Sequence, residues 1–469
     1  MDASPLQPQV PRAIEATEDY RLVPSVVLTG HGRMKRIKVV NMPLPHALKD
    51  DHVEVEVFYC GLNFTDNYLR LGIIRSEAFP IVMGSECCGV VRRVGAGVDD
   101  LEAGRKVLCL WMQGGLFRRV VQVPRGRCFA LPASATLRHA AALGLDCLVA
   151  YLCLFDLGRL RKAGVVFMQS LAGGVGTAVA QVARTVPLVT VLGTASESKH
   201  DKLWRLGVNG VYRHEEDYVE RILSLYPEGV DVAIVRSGGA DTEKFLRLLK
   251  PCGRLITIGS DSTATYPRTI TMTLQRPTWD TKYVSSAELV NKNVIVAGLN
   301  VGDMIKNHSY DVQIMLDNVF DLYFQEKIKP QIHSVLPFEK MTDGLELLCR
   351  RENFGKVLLV VQDELDHPVA FGWRVPSPPK PIPGAVTWDR LQRRVEAKVI
   401  CKRKLKYWAR QAETAAAGAL EETEEENAGD KDDDDDDDDD SMFTELEASV
   451  AAEMVKAISE SEAEGNASF

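Results

Sequence analysis

The feature that most constrains the fold is an apolar run that leads into a cluster of glycines at residues 165–176. Its sequence, VVFMQSLAGGVG, places the apolar residues of a buried strand ahead of a turn, and helical spacing follows the turn. Ser170 replaces the first glycine of the common G-x-G-x-x-G pattern. The segment therefore predicts one strand–turn–helix unit with glycines at its turn.

The glycine turn predicts a binding site for a dinucleotide. Glycine lets the backbone approach a diphosphate closely, and the free N–H groups of a helix N-terminus attract its charge. On the glycines alone, a purely structural turn is an equally good interpretation, but the flanking strand and helix favour the dinucleotide. The predicted contacts are Gly173, Gly174, Val175 and Gly176.

Strands and helices alternate along the chain after this turn. Apolar, strand-like segments recur at 188–193, 230–235 and 254–258, and segments with helical spacing lie between them. Such alternation is typical of an α/β fold in which crossover helices connect the strands of a parallel sheet. We therefore predict a doubly wound parallel sheet, a Rossmann domain, over residues 146–328.

The chain before this domain has the pattern of an antiparallel β-rich domain. Short segments such as 52–58 alternate apolar and polar residues, and glycines separate them. Because residues 329–361 return to strand-like segments, we predict a discontinuous β-rich domain of residues 25–145 and 329–361. Residues 1–24 are expected to be a flexible lead-in.

The composition changes sharply after residue 361. A Pro-rich linker precedes a basic segment at 388–410, and an acidic stretch at 421–440 ends in nine consecutive Asp residues. This acidic stretch cannot bury enough apolar surface to offset chain entropy, so residues 362–469 are predicted to be a linker and a disordered charged tail. Because the run of Asp alone matches the formal charge of −9, the globular part is near neutral, which argues against a nucleic-acid partner.

The basic segment 388–410 has several interpretations. Its cations alternate with apolar and aromatic residues, so a helix there could lie on an anionic membrane surface or bind an acidic partner. It could instead pair with the acidic run that follows, or belong to a tail that only solubilises the protein.

Cysteine usage and the N-terminal residues indicate a cytoplasmic protein. The ten cysteines lack the regular spacing of a disulfide framework, and residues 1–20 lack the apolar core of a signal peptide. The most apolar stretch, 140–155, carries Asp146 and predicts a core helix rather than a membrane span. Any membrane contact is therefore expected to be peripheral.

The residues after the second strand of the parallel sheet favour NADPH over NADH. NAD enzymes place an acidic residue about 20 positions beyond the glycines to bind the ribose 2′-hydroxyl. Here the strand ends in Gly-Thr-Ala-Ser without an acid, and Lys199 follows Ser196. A hydroxyl and a cation suit a 2′-phosphate, which an acidic side chain would repel. The alternative is that Lys199 is only a solvated helix residue.

Five short segments carry a resemblance to a known family. They are CGLNFTD at 60–66, AGGVG at 172–176, GTASESKH at 193–200, LLKP at 248–251 and GKVLL at 355–359. Over residues 25–361 the chain resembles the zinc-free quinone oxidoreductase branch of the medium-chain dehydrogenase/reductase superfamily. Within that branch it most resembles the synaptic vesicle membrane protein (vesicle amine transport) homolog-like family. The resemblance implies a GroES-like β-rich catalytic domain, a Rossmann domain and NADPH bound between them.

The resemblance also implies roles for individual residues. Asn63 is expected near the nicotinamide, Lys199 and Tyr212 near the adenosine phosphate, and Gly259 at the edge of the cofactor cleft. For Tyr212, ordinary packing is an equal alternative. The implied reaction is hydride transfer from NADPH to a quinone or enone, which can take its proton from solvent, so no catalytic residue is assigned. A homodimer that pairs Rossmann sheet edges is also compatible with the superfamily.

No metal is expected. Zinc members of the superfamily use a Cys in a Gly-x-Cys-x-x-Asp context and a His in a Gly-His-Glu context. Asn63 and Ser85 hold those positions here, and an amide and a hydroxyl are poor ligands for zinc.

Two departures from the family pattern support a rival hypothesis. Val235 stands where the family has an Asp, and Arg236 adds a large charge to a region that is normally compact. The rival hypothesis is a reductase fold with weak or no turnover that acts as a vesicle- or membrane-associated interaction or lipid-handling module.

Overall fold

The computed structural model describes residues 19–74, 79–236, 241–259, 284 and 286–362. Most of the predicted lead-in lies outside the described residues. So do the predicted linker, the basic segment and the acidic tail, apart from Gln362.

The first domain is built from mainly antiparallel strands, as the alternation of apolar and polar residues predicts. A three-stranded sheet has the order β2-β1-β4, and a seven-stranded sheet has the order β15-β16-β3-β5-β6-β8 with β7 paired to β3. This is the expected GroES-like domain. Its strands and helices are β1 (Tyr20–Leu28), β2 (Ile37–Pro45), β3 (His52–Gly61), α1 (Phe64–Leu71), β4 (Ile81–Val82), β5 (Glu86–Val94), β6 (Lys106–Leu110), β7 (Val120–Pro124), β8 (Cys128–Ala130), β15 (Ile332–Pro337), α10 (Met341–Cys349) and β16 (Lys356–Val360).

The last described segment returns to this domain. Strand β16 pairs antiparallel with β3, from Leu358 opposite Gly61 to Val360 opposite Tyr59, and β15 pairs parallel with β16. Residues that are far apart in the sequence therefore lie side by side at this edge of the sheet.

The second domain is a parallel sheet in the order β11-β10-β9-β12-β13-β14. Every neighbouring pair is parallel, and the order steps outward in both directions from β9, as in a Rossmann fold. Ligands of such sheets bind at the carboxyl ends of the strands where the order reverses, here between β9 and β12. The elements are β9 (Val165–Met168), α3 (Gly174–Ala183), β10 (Thr190–Thr194), α4 (His200–Arg205), β11 (Gly210–Tyr212), α5 (Tyr218–Leu225), β12 (Val230–Val235), α6 (Asp241–Leu248), β13 (Leu249–Thr257), α7 (Ser286–Lys292), β14 (Ile295–Gly298), α8 (Val301–Asn307) and α9 (Ser309–Phe324).

Helix α2 (Leu137–Tyr151) belongs to both domains. The side chain of Thr136 caps its first turn, and a π-helical turn, Leu152–Leu157, continues it. The helix packs against α3 of the Rossmann domain and against β3 and β5 of the GroES-like domain. The domain boundary predicted between residues 145 and 146 falls inside this helix, because both domains bury its apolar side chains.

The same helical segment answers the question of a membrane span. Leu137–Leu157 has the length and apolar composition of such a span, but 83% of its most apolar window is buried inside the protein. This agrees with the core helix predicted from the sequence.

Glu54 joins three segments of the GroES-like domain. Its side chain is 1% exposed, and its Oε2 lies 2.6 Å from Arg21 Nη2, 2.8 Å from Arg93 Nη2 and 2.9 Å from Gln122 Nε2. Burial alone would raise the pKa of Glu54, but hydrogen bonds from Arg93, Arg21 and Gln122 outweigh it and lower the pKa to about 2. The carboxylate therefore stabilises the fold in its ionised form.

We expect Glu54→Gln to destabilise the protein by about 1–2 kcal/mol at pH 7. The expected loss is kept this small because Arg21 and Arg93 are partly exposed and solvent screens their charges. Since folding lowers this pKa, the contribution of Glu54 is complete above its ordinary pKa of 4.5 and disappears as the pH falls toward 2. Urea unfolding midpoints of wild type and variant should converge across that window. A gap that stays constant with pH would contradict the ionised role.

Four cysteines form a row across adjacent strands of the GroES-like sheet. Cys60 on β3 lies opposite Cys87 on β5, Cys87 opposite Cys109 on β6, and Cys109 opposite Cys128 on β8. All four are buried free thiols, and the Sγ atoms of Cys109 and Cys128 are 3.9 Å apart. Burial raises the pKa of Cys87 to about 11. These thiols are therefore protonated and shielded from reagents in the folded protein.

We expect one thiol to react with Ellman's reagent in a folded Cys401→Ser variant, because Cys252 alone is exposed among the described cysteines and Cys401 lies outside them. Adding Cys252→Ser should remove the fast reaction, and denaturant should restore the remaining thiols. Fast reaction of two or more thiols in the folded variant would show that the row is accessible.

Candidate functional site

A cleft opens at the carboxyl ends of β9, β10 and β12, and both domains line it. Its empty space is about 1170 Å³, a volume that includes open solvent at the mouth of the cleft. All the predicted site residues except Tyr212 line it: Asn63, Gly173, Gly174, Val175, Gly176, Ser196, Lys199 and Gly259. The sequence-predicted residues from separate parts of the chain therefore come together in one place.

The glycine turn is packed tightly where the motif needs glycine. Gly173 precedes α3, and a Cβ on Gly176 would lie 2.4 Å from the carbonyl oxygen of Leu171. Ser170, which replaces the first glycine of the motif, adopts a φ of 65° in the left-handed region that favours glycine. The backbone thus keeps the shape of the motif although one glycine is missing.

The end of β10 carries the residues predicted to select the cofactor. The ammonium of Lys199 donates to the carbonyl oxygens of Arg351 and Asn353, which belong to the loop before β16. Burial and the charges of Lys202 and Arg351 lower the pKa of Lys199. This part of the cleft is therefore electropositive.

Tyr212 does not line the cleft. It lies on β11 opposite Thr194, is 4% exposed, and packs in an apolar cluster with Phe167 and Leu192. The guanidinium of Arg221 lies 5.7 Å from its ring centroid. Its ring packs in the core, which is the alternative considered for it, and its contact with the adenosine phosphate stays a prediction.

At the other end of the cleft, Asn63 belongs to a buried polar network centred on Lys356. The Lys356 Nζ lies 2.7 Å from Asn63 Oδ1, 2.7 Å from Glu86 Oε2 and 3.4 Å from Asp146 Oδ2. Asn63 Nδ2 in turn donates to Ser85 Oγ and Glu86 Oε2. Burial alone would lower the pKa of Lys356, but the carboxylates of Asp146 and Glu86 raise it, so the ammonium stays charged.

Asp66 extends this network at the start of α1. Its Oδ2 accepts a hydrogen bond from the backbone N–H of Asn63, 2.9 Å away, and the carboxyl is 1% exposed. Burial raises the pKa of Asp66 to about 7 in spite of this hydrogen bond. The capping carboxyl therefore titrates near neutral pH.

Arg236 reaches into the cleft from the end of β12. Its guanidinium carbon lies 4.5 Å from the ring centroid of Phe64, a residue of the other domain, and both residues line the cleft. The preceding residue, Val235, is 1% exposed. The departure at Arg236 therefore adds a cation to the cleft, and the departure at Val235 removes a polar group from the end of the strand.

Several polar residues of the cleft escaped the sequence prediction, among them Lys356, Arg351 and His214. Lys356 and Arg351 line it from the last described segment, and His214 lines it beyond β11. Lys356 belongs to the GKVLL segment that supports the family resemblance, and it is the one charge in an apolar strand. That isolated charge was the available signal for a buried role.

The zinc ligand positions of the superfamily lie within the Lys356 network. An amide and a hydroxyl hold the two ligand positions, and the ammonium of Lys356 pairs with the neighbouring carboxylates of Glu86 and Asp146. The described ranges contain no group of three or more His, Cys, Asp or Glu arranged to hold a metal ion. The ammonium repels a metal cation, so this donor set does not fit zinc.

Comparisons with known proteins identify the family. Residues 49–133 match the alcohol dehydrogenase GroES-like domain, and residues 174–318 match the model described as zinc-binding dehydrogenase. The synaptic vesicle membrane protein VAT-1 homolog of Rattus norvegicus is 39% identical over 338 residues, covering 71% of this chain and 83% of the relative. The chain belongs to the VAT-1 family of the medium-chain dehydrogenase/reductase superfamily.

The homolog-like members of the VAT-1 family are similar at lower identity. The Homo sapiens VAT-1 homolog-like protein is 31% identical, covering 73% of this chain and 82% of the relative. The crystal structure of the human homolog-like protein superposes with a TM-score of 0.63 at 29% identity, over 73% of this chain and 99% of that chain. The predicted family is confirmed, while identity is higher to the rat VAT-1 homolog than to the homolog-like form that the motifs favoured.

Quinone oxidoreductases are further relatives of this VAT-1 family member. That of Rattus norvegicus is 32% identical, covering 49% of this chain and 74% of the relative. The structure of Escherichia coli quinone oxidoreductase complexed with NADPH superposes with a TM-score of 0.62 at 23% identity, over 72% of this chain and 99% of that chain. At that identity the likeness is one of fold alone.

Proposed function

We propose that this chain is an NADPH-dependent reductase that transfers hydride to a quinone or enone acceptor without a metal. The observation that carries the proposal is one cleft that joins the N-terminus of α3, the cation of Lys199 and the buried amide of Asn63. Its supports are the quinone oxidoreductase relatives and the fold shared with an enzyme complexed with NADPH.

The residues of the cleft fit the parts of such a cofactor. Gly173–Gly176 would hold the diphosphate through backbone N–H groups, and Ser196 and Lys199 would bind the 2′-phosphate. An ammonium has three N–H groups, and Lys199 donates two of them to backbone carbonyls, which fixes the cation while one remains for a phosphate. Bound NADPH would supply the hydride, and the protein would orient it and exclude water.

Replacing Lys199 with Met should weaken NADPH binding by about tenfold or more and leave NADH binding nearly unchanged, because only NADPH carries the 2′-phosphate. Fluorescence titration of both nucleotides measures this. Lys202→Met is a matched control on the next helix, since Lys202 does not line the cleft. Equal losses for both nucleotides would remove the phosphate role from Lys199.

Turnover is tested separately from binding. NADPH oxidation should be followed at 340 nm with a panel of small quinones and enones, with and without a chelator. Turnover that survives chelation is expected. Binding without any turnover would favour the second candidate function.

The second candidate is a vesicle- or membrane-associated interaction or lipid-handling module, which the printed names of the VAT-1 relatives favour. We propose that a cytoplasmic chain attaches peripherally to anionic membranes through the basic segment 388–410, which lies outside the described residues. In sedimentation with phosphatidylserine liposomes, the full chain should be found in the pellet, and a chain that ends at Gln362 should remain in the supernatant. Equal pelleting of both would exclude the tail from membrane binding.

We also propose a homodimer formed through strand β14, at the end of the Rossmann sheet. Ile295 and Val296 are 40% and 39% exposed, which leaves apolar side chains at a sheet edge among the described residues. Sedimentation equilibrium should give a dimer, and Val296→Lys should give a monomer. A wild-type monomer at micromolar concentration would exclude this interface.

A further inference from the structure

Asp146 places a buried carboxylate inside the cleft. It lies in the second half of α2, and its side chain is 8% exposed. Its Oδ2 forms a long ion pair with Lys356 Nζ, 3.4 Å away, and no well-formed hydrogen bond with any described residue. A buried carboxylate oxygen without a well-formed hydrogen bond is costly, and such an atom in a ligand cleft indicates a functional constraint.

The carboxylate of Asp146 lies against the glycine turn. A Cβ on Gly174 would be 2.0 Å from Asp146 Oδ2, so the oxygen packs directly over the first residue of α3. The proposed cofactor would bring its diphosphate to the N-terminus of this helix. Two sources of negative charge would then share one helix N-terminus.

Asp146 shares its nearest cation with a second carboxylate. Lys356 lies closer to Glu86 than to Asp146, so one ammonium serves two carboxylates. Arg236, at the end of β12, also acts on Asp146 electrostatically. The balance of these charges leaves Asp146 as the acidic group next to the diphosphate position.

We propose that Asp146 determines how tightly this chain binds dinucleotides: its ionised carboxylate repels the diphosphate, and a proton or an amide at this position removes the repulsion. This inference rests on the proposed function. Binding would be accompanied by uptake of one proton at Asp146, because the bound diphosphate favours the neutral carboxylic acid.

The direction of the pH dependence follows. Burial raises the pKa of Asp146 despite the opposing charge of Lys356, so the folded protein retains its proton to a higher pH than an exposed Asp. Dinucleotide affinity should therefore fall as the pH rises through this pKa. The other charged or titratable groups around Asp146 and along the described cleft are Glu86, Asp66, Tyr68, Lys356, Arg236, Cys147, Lys199, Arg351 and His214.

The test compares Asp146→Asn with wild type, using NADH as the probe because it lacks the 2′-phosphate, whose second pKa of about 6 would obscure the result. At pH 7.5 we expect Asp146→Asn to bind NADH at least about tenfold more tightly than wild type. The reason is that repulsion between two like charges at close range weakens binding by about that factor. Wild-type affinity should rise as the pH is lowered through the pKa of Asp146, and the variant should lose that part of the rise. Asp156→Asn, the same change on the adjoining π-helical turn and away from the cleft, should match wild type.

The outcomes separate the inference from the function on which it rests. If wild type binds NADH and Asp146→Asn binds equally or less tightly, with an unchanged melting temperature, the inference is wrong and the proposed function stands. If neither protein binds NADH or NADPH at any pH, both are wrong. Asp146→Ser provides a second charge-free variant, which should also bind more tightly than wild type.

Discussion

Replacing Lys356 with Met should destabilise the protein by about 3–5 kcal/mol at pH 7.5, the largest loss expected from any single change in the cleft. Lys356 is 3% exposed, and its ammonium lies within 2.7 Å of both Glu86 Oε2 and Asn63 Oδ1. Removing it leaves two buried carboxylates, Glu86 and Asp146, without their shared cation. Urea unfolding monitored by circular dichroism measures the loss.

The pH dependence of this loss identifies its cause. Lys356 opposes the effect of burial on Asp146, so without the ammonium the pKa of Asp146 in the folded variant would be raised further. A folded-state pKa above the unfolded value removes stability as the pH rises, so the deficit of Lys356→Met should be larger at pH 8 than at pH 5. A deficit that does not change with pH would indicate lost packing instead.

A matched control comes from a partly exposed ion pair. Lys250 pairs with Asp231, and their side chains are 34% and 25% exposed. Lys250→Met should cost no more than about 1 kcal/mol, because solvent screens such pairs. The double variant Lys356→Met/Glu86→Gln should lose less than the sum of the two single variants, since the changes share one interaction.

Replacing Gly176 with Ala should cost about 3 kcal/mol and weaken nucleotide binding. The added Cβ would lie 2.4 Å from the backbone oxygen of Leu171 and 2.5 Å from that of Ser170. Backbone atoms cannot rotate away as a side chain can, so the start of α3 must shift from the turn that precedes it. Thermal unfolding measures the loss of stability, and NADPH titration measures the loss of affinity that follows from the displaced turn.

Gly173→Ala is the control for this prediction. Its Cβ would lie 3.7 Å from the Ser170 carbonyl oxygen, an ordinary van der Waals contact, and Gly173 has an extended backbone with φ of −75°. We expect its stability to stay within about 0.5 kcal/mol of wild type. Equal destabilisation by the two substitutions would contradict a steric requirement specific to Gly176.

The sequence predicted those parts of the molecule that depend on neighbouring residues. The glycine turn, the alternating strands and helices and the buried nature of α2 all follow from patterns within about 20 residues. The position of Ser196 and Lys199 in the cleft follows from a strand end that lacks an acidic residue and offers a hydroxyl and a cation instead. Asn63 was placed there by family resemblance.

Contacts between distant parts of the chain could not be predicted in this way. Lys356 bonds to Asn63 across 293 residues of sequence, and no local pattern encodes that contact. A tyrosine such as Tyr212 can be a cofactor contact or a core residue, and the local sequence does not distinguish the two. The pairing of β11 with β10 places its ring in an apolar cluster of the core. The environment of Asp146 likewise depends on three strands from two domains.

The continuity of α2 has a consequence for how the protein can be divided. A chain cut at residue 145 would sever a helix whose residues are buried on nearly every side, and each fragment would expose an apolar surface that the other covers. Neither half should therefore fold when expressed by itself, and mixing the two fragments should restore structure only if they reassemble around the broken helix. The GroES-like and Rossmann domains are thus expected to fold as one cooperative unit and not as independent domains.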